Sequence, residues 1–232
     1  HKAILAGMEA PDEMLRRPAQ VDSMLHVISR LASGDSLVGR DVPDMASTIQ
    51  RQLEDLERHP LSVRIDNSWT KEDSTDSATV VLGPYDYRWA LYQLLGTTDY
   101  EWLPGFVWTF AQGDERTLRW WAGIVARERR SYMGSALGYC TDCASGASPA
   151  RRARVEAEAT SALLGDVANL LYPDVCDAWK VRELDESFHR GPQACGGPSL
   201  FISGTLDARP PPIQAEIARK GFKTSFHLQI EG

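Results

Sequence analysis

The sequence predicts an α/β protein in which two short pieces of one parallel sheet are separated by a long, mainly helical insert. Three observations predict it. The chain opens on an apolar run, Lys2-Ala3-Ile4-Leu5-Ala6-Gly7, that reads as a buried strand. Towards the other end, Pro198–Ser203, Ile213–Lys220 and Lys223–Ile230 read as strand, helix and strand. Their spacing of about thirty residues is that of a right-handed parallel crossover. Between the two ends, apolar residues recur mostly at three- and four-residue steps, the period of a helix. An apolar fraction of 43% is ordinary for a chain with a packed core.

Each element follows from local chemistry. Residues 1–12 give the opening strand and the turn Glu9-Ala10-Pro11-Asp12. Val21–Leu31 and Met45–Leu56 carry amphipathic helical spacing. Leu61–Ile65 and Ala78–Leu82 are β-branched, alternating runs either side of the polar stretch Thr70–Ser77, which reads as a hairpin. Tyr85–Leu95 follows Gly83-Pro84, a helix start. Asp114–Arg130 follows Gly113, and Ala150–Leu164 follows Ser148-Pro149, where serine can cap and proline can occupy the first helical position. Val175–Trp179 is a short helical turn. In the last zone Gly204-Thr205-Leu206-Asp207 is the exit of the strand and Ala208–Pro212 a proline-stiffened loop; Gly221 can stop the next helix. No internal repeat and no low-complexity segment occurs.

Several function classes fit poorly. A net charge of −7 without a basic cluster argues against nucleic-acid binding. No apolar run approaches the ~20 residues that span a bilayer. Cys140 and Cys143 form a CxxC, but Cys176 and Cys195 stand apart, so the second pair of a zinc site is missing. The region before Cys140 does not read as the strand that precedes a redox CxxC. A structural disulfide from Cys140 or Cys143 to Cys176, or simple buried thiols, accounts better for these residues. No Gly-x-Gly-x-x-Gly follows the opening strand, so no dinucleotide cofactor is expected, and no metal either.

In open parallel sheets, functional side chains project from the carboxyl ends of strands. Asp207 is there. Its carboxylate is placed either to orient a histidine in acyl transfer or to cap the following helix. The string Ser199-Leu-Phe-Ile-Ser-Gly-Thr-Leu-Asp-Ala-Arg-Pro-Pro211 resembles the acid-loop strand of α/β-hydrolases of the prolyl and tripeptidyl aminopeptidase type, the TAP-like serine peptidases. In that family the aspartate after Gly-x-x belongs to the catalytic triad. Gln214–Phe222 and Phe226–Gly232 look like the family's next helix and last core strand, and His1–Asp12 like the strand after its nucleophile-bearing helix. Asp142–Ser148 and Cys176–Trp179 look like pieces of its lid.

The resemblance implies a partial α/β-hydrolase core at residues 1–12 and 196–232, with a mainly helical lid containing the hairpin at 13–195. It implies a serine hydrolase of aminopeptidase type that releases N-terminal residues from short peptides by a Ser-His-Asp mechanism, or an esterase of the same fold acting on small apolar esters. A non-catalytic binding module is the alternative from another class. No Gly-x-Ser-x-Gly elbow occurs: Gly34–Gly39 and Gly134–Gly138 have the wrong spacing and helical context. The family's histidine falls beyond its last strand, whereas His227 lies inside it; His26, His59 and His189 read as ordinary histidines of the insert. Because both ends of the sequence look cut, the expectation is a C-terminal portion with its nucleophile before His1 and its histidine after Gly232, inactive by itself. Trp89, Trp102, Trp108, Trp120 and Trp121, with Tyr85, Tyr87 and Tyr100, crowd one part of the insert, as lid packing or pocket lining would require. Glu101 and Asp114 are candidates to hold a peptide amino group, as the resemblance implies.

Overall fold

Strands form at both ends of the chain, and helices fill most of the middle. In the computed structural model the elements run β1 Ala3–Ala6, α1 Pro18–Gly34, α2 Val38–Asp41, α3 Met45–Arg58, β2 Leu61–Asp66, β3 Ser77–Leu82, α4 Pro84–Leu95, α5 Leu103–Ala111, α6 Glu115–Ser131, α7 Ala136–Ser145, α8 Pro149–Ala159, α9 Asp174–Trp179, β4 Ser199–Gly204, α10 Ile213–Ala218 and β5 Ser225–Ile230. The structure describes residues 2–66, 77–96, 98–131, 135–169, 172–189, 191 and 194–232. Apart from Ser77, the expected polar stretch Thr70–Ser77 lies outside them, as does Gly134. Two compact units divide the chain: residues 1–24 with 134–232, and residues 25–133. The first therefore contains both expected core segments together with residues 13–24 and 134–195 of the expected lid.

The first unit is built on a parallel sheet in the order β1-β4-β5. Ala3 pairs with Ser199 and Ser199 with Ser225, so the two ends of the sequence meet in one sheet. Alternation along β4 turns Ser199, Phe201 and Ser203 to a buried face. There the fully buried Phe201 packs with Ala10, Ala215 and Ala218, and its ring meets Phe222 edge-on at 5.1 Å. Small alanines at 215 and 218 let α10 lie close to the sheet. The opposite face carries Ile4, Leu200 and Phe226 in one row and Ala6, Ile202 and Leu228 in the next. It is open: Ile4 is 71% and Phe226 65% exposed. Parallel sheets are normally covered on both faces.

Polar contacts tie the rest of this unit together. Ser148 caps α8 by accepting the Arg151 N–H at 3.1 Å, while its own N–H and hydroxyl donate to Asp12 at 2.7 and 2.6 Å. Arg151 forms a buried two-pronged pair with Glu13 and donates from Nε to the Leu15 carbonyl at 2.7 Å. Gln214 of α10 donates to Glu13 at 2.7 Å and accepts the Ala10 N–H at 3.0 Å. A disulfide joins Cys143 of α7 to Cys176 of α9, one of the two pairings expected. Cys140 and Cys195 are free thiols.

The second unit is helical around the expected hairpin. Antiparallel β2 and β3 pair Leu61 with Leu82, Val63 with Val80 and Ile65 with Ala78. Asp44 caps α3 by accepting the Ser47 N–H at 3.0 Å. α4 starts after Gly83 with Pro84 at its first turn, and Asp86 reaches back to accept the Gly83 N–H at 2.9 Å. The core is aromatic: Trp121, fully buried, lies 5.7 Å from Tyr87, 6.3 Å from Phe106 and 5.4 Å from Phe110, centroid to centroid. Edge-on rings favour each other through their quadrupoles as well as their buried area. Burial raises the Tyr87 phenol well above its ordinary pKa. Its hydroxyl donates to Gln52, whose amide donates to the Val107 carbonyl at 2.9 Å.

Candidate functional site

Asp207 stands just past the carboxyl end of β4, the central strand of the parallel sheet. The exit is pinned at several points. Thr205 N–H donates to the Ile230 carbonyl at 2.9 Å, joining the ends of β4 and β5, and Asp207 N–H donates to the Gly204 carbonyl at 3.2 Å. Asp207 Oδ1 accepts the Arg209 N–H at 2.8 Å, a side-chain turn within the loop. α10 begins only at Ile213 and has no side-chain cap. The helix-capping role for Asp207 is therefore absent, and its carboxylate is instead half-buried in a turn of its own.

The exit of β1 lies beside it. Gly7 adopts φ +54°, a left-handed turn that glycine enters without strain, and its N–H donates to the Ile202 carbonyl at 3.1 Å. Downstream of that turn, Glu9, Glu13 and Arg16 share a narrow cleft with Ala208, Pro210 and Pro211 of the acid loop. The ends of the two neighbouring strands thus converge on one place. Burial raises the pKa of Glu9, against the opposing pull of Arg16 at 2.9 Å. Burial also raises Asp142 of α7, and Arg16 again opposes it. A carboxyl group whose pKa is raised by burial beside a strand end is a candidate for proton chemistry. In the sequence Glu9 is marked only by its place two residues after Gly7, at the end of an apolar strand.

The strand and helix that flank the 205–212 loop are joined by a hydrogen-bonded relay, also unpredicted. Ser203 Oγ is 2.7 Å from His227 Nε2, and His227 Nδ1 is 2.6 Å from Glu216 Oε1. The His227 side chain is 4% exposed and lies within β5, as expected. Hydrogen bonds from Arg219 and then His227 lower the pKa of Glu216. An ionised Glu216 can only accept, so the His227 Nδ1–H donates to it. Alternation in β4 and β5 puts residues 203 and 227 on one face, a placement the sequence already contained.

Other residues singled out from the sequence divide by environment. His26 and His59 are exposed, and His189 Nδ1 lies 3.3 Å from Asp12. Trp121 is core, whereas Trp102, Trp108 and Trp120 line an open groove of the second unit with Glu101 and Asp114 on its walls. Asp114 is occupied by Thr117, whose N–H and hydroxyl donate to it and lower its pKa. Tyr139 packs 6.0 Å from Trp179. Cys140 and Cys143 lie inside α7 rather than after a strand. Among the described residues no group of three or more His, Cys, Asp and Glu is placed to hold a metal ion, and no helix is long and apolar enough to cross a membrane. No known family model matches this chain, and no curated protein matches it.

Proposed function

We propose that the chain is part of an α/β-hydrolase in which Asp207 is the acid of a Ser-His-Asp triad, acting on small peptides or esters. The observation that carries this reading is the position of Asp207: at the mouth of the central parallel strand, with the exits of β1 and β4 converging on one cleft. Strand-end carboxylates in such sheets are where ligands and reacting groups gather. The bare face built on Ile4, Leu200 and Phe226 supports it further, because a hydrolase sheet needs a second layer of helices there. In this reading the nucleophilic serine and the base lie outside residues 1–232. Asp207 fixes the imidazole tautomer and stabilises the imidazolium formed as the serine attacks the carbonyl. Peptidase and esterase differ only in what the helical insert presents to the substrate. A carboxylate in the substrate cavity favours the peptidase, an apolar cavity the esterase.

The test uses the full-length protein with aminoacyl amide and short-chain ester substrates. Asp207→Asn is expected to lower kcat roughly 10³- to 10⁴-fold while the fold is retained. Unchanged kcat in a folded Asp207→Asn protein contradicts the assignment. The same comparison of amide with ester turnover separates peptidase from esterase.

A further inference from the structure

We infer that the Ser203–His227–Glu216 relay is a clamp that positions the acid loop; the inference rests on the role proposed for Asp207. Two of the side chains sit on the stems of that loop, and the third joins them from the neighbouring strand. Ser203 is four residues before Asp207, at the end of β4, and Glu216 is nine residues after it, on α10. His227, from the adjacent strand β5, bonds both at once, at 2.7 and 2.6 Å. The loop between them carries Asp207 and a run of three prolines, and its backbone is otherwise held near Asp207 by the Gly204 carbonyl and the Asp207–Arg209 turn. Prolines remove internal freedom from the loop but do not fix its direction, which is set where the stems are anchored. A single imidazole spanning both stems couples them.

The burial pattern fits a positioning part rather than a nucleophile. Ser203 is 7% exposed and the His227 side chain 4%, so no substrate reaches the pair. Glu216 is the accessible end and also holds Arg219 at 2.7 Å through its other oxygen. The charged and titratable neighbours are thus Glu216 and Arg219 of α10 and its following turn, and the clamp works through hydrogen bonds that a neutral acceptor can also make. A shift of the carboxylate by about an ångström is enough to cost a large factor in rate without altering substrate binding.

The experiment is a double-mutant cycle on the full-length protein. Glu216→Ala is expected to lower kcat roughly 10- to 100-fold with KM within about twofold. Glu216→Gln, which keeps an acceptor for Nδ1–H, is expected to restore most of that rate. Lys220→Ala, an exposed position on the same turn that makes no contact with the relay, should leave kcat unchanged. In an Asp207→Asn background Glu216→Ala should have no further effect, because the clamp acts only through that carboxylate. An equal loss in both backgrounds, no loss in the parent, failure of Gln to rescue, or a matching loss in Lys220→Ala overturns the clamp. If Glu216→Ala does not fold, Ser203→Ala removes the other anchor and is read in the same cycle. Full activity in Asp207→Asn instead overturns the triad assignment, an outcome visible before any clamp variant is made.

Discussion

The two units are held together by different physics. In residues 25–133 the interior is rings on rings, Trp121 against Tyr87, Phe106 and Phe110, with a short polar chain from Tyr87 through Gln52 to the Val107 carbonyl. In the sheet unit, ions and amides join segments far apart in sequence: Arg151 to Glu13, Gln214 to Glu13 and Ala10, Glu158 to Arg17. Apolar contacts are non-directional, whereas removing one partner of a buried ion pair leaves an uncompensated charge. The sheet unit thus holds an ion pair with both partners buried, Arg151 with Glu13, whereas in the other unit the Arg129 that bonds both oxygens of Asp86 lies half in solvent.

The comparison is most easily broken at its extremes. Trp121→Ala is expected to cost about 3–5 kcal/mol and, by hydrogen exchange with mass spectrometry, to expose amides of α5 and α6 first. Arg151→Ala is expected to cost at least about 3 kcal/mol, with the greatest loss of protection in α8 and the 10–17 segment. Replacing Glu13 and Arg151 together by Met should recover most of that loss, since the cost comes from the orphaned charge and not from missing contact. If the double replacement is as unstable as Arg151→Ala, the two units do not differ in the way described.

A smaller effect sharpens the picture through pH. Burial alone would raise the Glu158 pKa, but hydrogen bonds from Arg17, Arg154 and the Ala19 N–H outweigh it and hold the carboxyl below its usual value of 4.5. With the folded pKa depressed, the unfolded chain takes up the proton first. The stabilisation is therefore complete above about pH 4.5 and is lost as pH falls through the folded value. Glu158→Gln should cost about 1–2 kcal/mol at pH 7 and progressively less below pH 4.5, read from urea midpoints across that range. A pH-independent cost would mean that shape, not charge, matters at this position.

Much of the architecture was legible because period and punctuation agreed. The hairpin showed as alternating Leu61–Ile65 and Ala78–Leu82, and α8 as Ser148-Pro149 ahead of an amphipathic run, although it stops at Ala159 rather than continuing to Leu164. The crossover at the C-terminal end formed where β4, α10 and β5 were expected. α5 escaped because Leu103–Ala111 is apolar around most of its circumference and shows no polar face. α7 escaped because its glycine, cysteines and threonine are weak helix formers, held here by the Ser135 cap and the disulfide. Of the candidate site, Asp207 was visible through strand-exit chemistry. The relay was not: Ser203, Glu216 and His227 come from three elements, and only the pairing of β4 with β5 and the approach of α10 bring them together.

The most direct test of the central claim is a crystal structure of the full-length protein with a serine-directed phosphonate bound. The account predicts an imidazole nitrogen, from a histidine outside residues 1–232, within roughly 2.6–3.2 Å of an Asp207 carboxylate oxygen, its other nitrogen facing the modified serine. A phosphonylated serine whose histidine is oriented by another carboxylate, with Asp207 turned away, would contradict it.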